Sequence, residues 1–109
     1  MSTLVASGTQ TAVIGTEHTL STDTSNGNFV FKVDANAMAS GDTLELRIYD
    51  VVLASGVSRV AYFSKFTDAQ GADDKIKVSV PVPANIEFKA TLKQTAGTGR
   101  AFPWSVLKL

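Results

Sequence analysis

From Asn28 onward, apolar and polar residues alternate with a period of two, the pattern of strands that bury one face. In "NFVFKVD" Phe29, Phe31 and Val33 share a side; in "TLELRIYDV" Leu44, Leu46 and Ile48 do, with Glu45, Arg47 and Tyr49 opposite. The turn "DANAMASGD" separates them, so these two strands pair or face each other across a core. "SGVSRVAYFSKF" places Val60, Tyr62 and Phe66 on one parity and Ala61 and Phe63 on the other, as in a strand apolar on both faces. After "DAQGADD", the segment "KIKVSV" alternates again, and the expectation is that Ile76, Val78 and Val80 face inward with Lys75, Lys77 and Ser79 outward.

"PVP" at 81–83 should end that strand, because proline donates no ladder hydrogen bond. "NIEFKATLKQ" then puts Ile86, Phe88, Ala90 and Leu92 on one face against Glu87, Lys89, Thr91 and Lys93. The closing strand carries Phe102, Trp104 and Val106 inward, and Pro103 marks an edge position or a bulge. Leu107 and Leu109 fall on the opposite parity from Trp104 and Val106, which a covered second face would explain.

No helix-period stretch competes. About six to eight short strands predict an all-β protein: an antiparallel β-sandwich (jelly-roll or Ig-like) or a small barrel. Residues 1–27 are Ser/Thr-rich with short apolar islands, and read either as an N-terminal arm with short strands or as two edge strands of the same domain. Residues 28–109 form the β-sandwich domain.

The 109 residues fit one domain of the common size, roughly 100–150 residues. At 44% apolar and 18% charged, the chain has the composition of a packed globular protein and not of a disordered one. Ten basic and ten acidic residues cancel, so no global field draws it to nucleic acid or an anionic membrane. Cysteine is absent, which removes disulfides, thiol nucleophiles and thiolate metal sites. The N-terminal stretch lacks the basic and apolar regions of a signal peptide, and no segment approaches the ~20 apolar residues of a membrane span.

The candidate chemistry is sparse. His18 is the one histidine and has neither a nucleophile nor a ligand cluster near it in sequence. Asp68, Asp73 and Asp74 lack the spacing of a calcium loop and read as a solvated turn. Glu45 and Glu87 are on outward faces and are not placed as a glycosidase pair. "GTG" at 97–99 is a hairpin loop and not a phosphate-binding fingerprint. Lys75, Lys77, Lys89 and Lys93 make a basic stripe only if their strands align, and lysines on an outer face also protect sheets from aggregation. Tyr49, Tyr62 and Trp104 would line a sugar-binding face if they share a side of the sandwich, against core or interface packing as the other reading. No catalytic, metal or cofactor site is indicated.

"SGDTLELRIYDVVLASGVSRVAYFSKF" followed by "VPANIEFKATLKQTAGTGRAFPWSVLKL" resembles small virion proteins encoded in the structural gene cluster of tailed bacteriophages, most sharply at "ATLKQTAGTGRAFPW". The resemblance covers about the last two thirds of the chain. It implies a capsid decoration (cement) protein, made in the host cytoplasm, that binds the major capsid protein lattice on the outer capsid surface and stabilises it. Such a protein is commonly a homotrimer and carries no catalytic residues. The alternatives are a tail or head–tail connector protein, or a carbohydrate-binding sandwich on the virion. Under the leading reading Leu4, Val5 and Ile14 are arm contacts, and Arg100, Phe102, Trp104, Leu107 and Leu109 lie at or beneath a subunit interface. Core packing is an equal expectation for Phe102 and Trp104, and simple solvation for Arg100.

Overall fold

A computed structural model describes residues 2–109. Nine strands follow in order: β1 (Thr3–Thr11), β2 (Glu17–Asp23), β3 (Gly27–Asp34), β4 (Thr43–Asp50), β5 (Arg59–Thr67), β6 (Ile76–Val78), β7 (Val82–Ala84), β8 (Phe88–Ala96) and β9 (Ala101–Lys108). They make two antiparallel sheets. The first has the order β1-β9-β3-β6, with β7 also pairing with β3; the second has the order β2-β8-β4-β5. Because β6 and β7 lie successively along one side of β3, they form a single interrupted lane, and each sheet has four lanes. Except at β4–β5, consecutive lanes alternate between the sheets. This is the eight-lane, double-Greek-key connectivity of a jelly roll. The sheets stay open at their edges and do not close into a barrel.

The alternation read from β3, β4 and β8 is what the sandwich buries. Phe29, Phe31 and Val33 from the first sheet meet Leu44, Leu46, Ile48, Phe88, Ala90 and Leu92 from the second, with Phe102 and Val106 of β9 beside them. Phe29 stacks on Phe88 across the gap, centroids 4.5 Å apart and planes 19° from parallel. Aromatic contact of this kind adds to the area term of burial. Strands β3 and β4 therefore face each other across the core and do not pair.

Residues 3–23 supply two edge strands and not a free arm. Strand β1 pairs with β9 from Thr3↔Lys108 to Thr11↔Ala101, and β2 pairs with β8. Pro103 sits in a strand with neighbours on both sides, but the β3 ladder ends at Trp104, so at Pro103 only β1 is alongside. A residue without an N–H is tolerated there as at an edge.

The assignment of faces in residues 75–80 is overturned. Ile76, Val78 and Val80 are more than half exposed, while Lys77 and Ser79 are buried. Register is the reason. The core residue Val33 lies opposite Lys77, so Lys77 must point inward and its neighbours Ile76 and Val78, opposite Asp34 and Lys32, must point out. Lys77 tolerates this by laying its stem inside and placing Nζ 4.5 Å from the centre of the Phe66 ring and 3.0 Å from Asp74 Oδ2. The "PVP" stretch does not end the lane. Ser79 bridges the interruption: its N–H donates to the Phe31 carbonyl at 2.9 Å, and its Oγ accepts from the Phe31 N–H at 2.9 Å. The lane then resumes as β7, with Val82 and Ala84 buried and both flanking prolines exposed. In β5, a register shift between Ile48 and Tyr49 brings Val60 opposite Tyr49 and turns it outward, away from its expected partners Tyr62 and Phe66.

Phe88 is fully buried and is half of the aromatic stack between the sheets. Phe88→Ala is expected to cost about 3–5 kcal/mol of unfolding free energy, read as a lowered urea midpoint in equilibrium denaturation.

Candidate interaction surfaces

The connections at 12–16, 35–42, 68–75 and 97–100 gather at one end of the sandwich and are bound together by a polar knot. Its centre is Asp42, only 1% exposed. One carboxylate oxygen accepts from Arg100 Nε at 2.8 Å and the Ala39 N–H at 2.9 Å; the other accepts from the Thr98 N–H at 3.2 Å. Burial disfavours the Asp42 charge, but the bonds from Arg100, Ala39 and Thr98 outweigh it and hold the carboxyl below its ordinary pKa. Gln94, fully buried, completes the knot: its amide donates to the Thr98 and Ala96 carbonyls and its oxygen accepts from the Arg100 N–H. Gly97, at φ 89°, packs so closely on Asp42 that a Cβ there would overlap its carboxylate. The "TAGTG" loop is thus held by specific contacts.

The outer face of the second sheet is mostly charged and polar, with Val60 and Phe63 of β5 about half exposed on it. The register sets Glu17, Lys93, Glu45 and Lys65 in one row of alternating sign. Beside this row, Arg47 bonds Glu45 at 2.9 Å and lies over the Phe63 ring at 4.8 Å, and Lys89 lies over Tyr49 at 4.3 Å. Glu17 accepts from the Tyr49 hydroxyl at 2.6 Å and from Thr91 Oγ1 at 2.7 Å. Burial works against the Glu17 charge, but these hydroxyls, with Arg47 and Lys89 nearby, hold its pKa below the usual value. The hydrogen bond to Glu17, with burial, raises that of Tyr49.

The outer face of the first sheet is different. Its outward strand positions carry Leu4, Ser7, Thr9 and Thr11 on β1, Ala101, Pro103, Ser105 and Leu107 on β9, Val30, Lys32 and Asp34 on β3, and Ile76 and Val78 on β6. Lys32 and Asp34 are its only charged strand residues. A shallow groove lined by Lys32, Asp34, Ile76, Pro103 and Ser105 crosses its middle. A second apolar feature is the β4–β5 loop, where Val52, Leu53 and Val57 are 84%, 68% and 66% exposed.

The residues singled out from sequence divide among these places. Leu4 and Leu107 are register partners on the outer face of the first sheet, with Val30 next in the row. Leu109 follows at the end of the same lane, half exposed, its N–H donating to the Asn28 carbonyl. Phe102 fills the core, and Val5 and Trp104 pack against it, the Trp104 ring lying over Gly8. Ile14 is exposed in the β1–β2 turn, and Arg100, partly exposed, is bonded through Nε to Asp42. Tyr49 lies outside the second sheet, whereas Tyr62 and Trp104 pack against the core from opposite sheets, so they form no common stacking platform. With Lys77 inward, the four lysines form no stripe. His18 Nε2 accepts from the Val13 N–H at 3.1 Å, pinning the β1–β2 turn. Among the described residues, no group of three or more His, Cys, Asp or Glu side chains is placed to hold a metal ion. Gln94 was the signal sequence reasoning passed over: a polar residue on the core parity of β8, just before a glycine-rich loop.

No family model matches the chain, and no curated protein matches it. Among solved structures, it is similar to a chain in the structure of infectious bursal disease virus Gx strain, at 12% sequence identity and a TM-score of 0.50. The likeness covers 97% of this chain and 30% of that one, so this chain spans under a third of the protein it resembles. At that identity the likeness is one of fold.

Because the folded pKa of Asp42 is depressed below its ordinary 3.8, its contribution to stability is fully present above that value and lost as pH falls through the folded pKa. Asp42→Asn is expected to cost about 1–3 kcal/mol at pH 7, with the gap to the wild type narrowing in thermal melts as pH falls below about 4.

Proposed function

We propose that this protein is a non-enzymatic structural component of a virus particle. In finer terms, we read it as a decoration protein of a tailed-phage head, one that binds the major capsid protein lattice on the capsid surface and cements it. The observation that carries this is the jelly-roll connectivity, similar over nearly the whole chain to part of a virus structure. The tailed-phage resemblance of residues 40–66 and 82–109 supplies the finer assignment.

The distribution of side chains supports a role through contacts. Buried polar groups at one end hold loops in place, and on the second sheet Arg47 pairs with Glu45 and Tyr49 bonds Glu17. Apolar side chains are exposed on the outer face of the first sheet, in the bare β4–β5 loop and, about half exposed, at Val60 and Phe63 of β5. Many copies repeating a small apolar contact convert weak single affinities into firm attachment. We place the capsid contact at the β4–β5 loop, whose Val52, Leu53 and Val57 expose more apolar surface than the fold requires.

The test is to mix purified protein with expanded capsids, pellet them and count copies per particle. Hundreds of copies, with a rise in capsid melting temperature, are expected; a few copies per particle would instead move the protein to the tail or connector. Protein that stays in the supernatant would refute the decoration role and turn the search to tails, glycans and other partners. Replacing Val52, Leu53 and Val57 together by Ser should weaken co-sedimentation at least about tenfold while leaving the melting temperature of the free protein within a few degrees.

A further inference from the structure

The outer face of the first sheet has an internal symmetry that its composition alone does not reveal. Gly8, Trp104, Val33 and Lys77 are at one level across β1, β9, β3 and β6, as the paired registers show. The outward residues are arranged about that level: Ser7 and Thr9 on β1, Ser105 and Pro103 on β9, Lys32 and Asp34 on β3, Val78 and Ile76 on β6. One step further out, Leu4 and Thr11 flank it on β1, and Leu107 and Ala101 on β9.

We propose that this face is a twofold interface between two copies of the chain. The axis lies in the interface plane, across the strands, at the level of Val33 and Trp104. A rotation of this kind keeps the lane order, so each strand faces its own copy running antiparallel. Lys32 then meets the partner's Asp34 and Asp34 meets the partner's Lys32. Ile76 meets the partner's Val78, and Leu107 meets the partner's Ala101.

An isologous contact requires this reciprocity, with residue i against j and j against i. An axis parallel to the strands and along β3 would set Lys32 against Lys32 and Asp34 against Asp34, where like charges are costly; one between β9 and β3 would set both charges against Ser105 and Pro103 and leave them without an opposite charge in a largely apolar contact. One oxygen of Asp34 already accepts from the Asn36 N–H at 2.9 Å, leaving the other for the partner's lysine. The central strands, β9 and β3, keep this matching when the two sheets are rotated by about 30°, as packed sheets usually are.

Size points to a weak contact. About the level of Val33, β1 and β9 offer about seven residues each, and β3 and β6 only Lys32–Asp34 and Ile76–Val78; at about 4.8 Å between lanes and about 3.3 Å per residue the footprint is on the order of 300 Å² per copy. The total, roughly 600 Å², falls with weak and transient pairings and not with obligate dimers. The expected dissociation constant is between about 10 µM and 1 mM. A contact of that strength leaves the free protein monomeric when dilute and becomes effective when copies are concentrated on a surface. The twofold also departs from the trimer that the phage resemblance implies.

Sedimentation equilibrium of the free protein, from about 10 µM to 1 mM, tests the interface. The wild type should move from monomer towards dimer mass. Lys32→Asp, which sets two carboxylates opposite each other twice, should weaken association at least about tenfold. Lys32→Asp combined with Asp34→Lys reverses both charges, restores the match, and should return the constant to within about threefold of wild type. Both positions are on the surface, and circular dichroism melts confirm that each variant is folded. A monomer at 1 mM, a trimer, or a dimer indifferent to Lys32→Asp would overturn the proposal, as would a double variant no better than the single one.

The inference rests on the virion reading only for where the contact would operate, and the two fail separately. Dimers that never bind capsids would keep the interface and remove the decoration role; monomers that coat capsids would do the reverse.

Discussion

The stack of Phe29 on Phe88 sits where the two sheets press together, and the rest of the molecule is arranged around keeping that contact dry. Each side of it is extended by residues two positions apart on the same strand, because a strand presents only alternate side chains to a neighbour sheet. Phe31 and Val33 continue one side, and Ala90 and Leu92 the other. Once these are committed inward, every residue paired with them is committed too. Lys77 is the clearest consequence: it is buried because it is paired with Val33, and its long stem carries the charge out past Phe66 to Asp74. The same constraint pushes Ile76 and Val78 into the open.

The ends of the sandwich solve different problems. Loops that cross between sheets leave backbone groups with no ladder partner, and buried groups of that kind must find bonds elsewhere. At one end Asp42 and Gln94 supply them, and Arg100 compensates the buried carboxylate. At the other end the β4–β5 loop runs within one sheet, has no such knot, and holds its apolar side chains in the open. The outer faces divide in the same way. Glutamates and lysines alternate across the outer face of the second sheet, while the outward strand positions of the first carry a single lysine and a single aspartate among small and apolar residues. A protein built in this manner has one side more suited to solvent and the other to contact.

Period-two alternation was enough to establish the β class and the inward faces of β3, β4, β8 and β9, because those strands have neighbours that leave their parity no freedom, but it left a sandwich and a small barrel both open. It also marked Leu107 and Leu109 as apolar on the wrong side for the core, and Leu107 does lie outside, beside Leu4 and Val30. Tertiary structure decided what local pattern cannot. The six residues of "KIKVSV" alternate equally well in either orientation, and only pairing with β3 selects one. Ser79 acts as a ladder acceptor only once Phe31 is beside it, and Asp42 and Arg100, 58 positions apart, become an ion pair only when four loops converge. Sequence determined which residues alternate; register, a property of two strands and never of one, decided which side of the alternation faces the core.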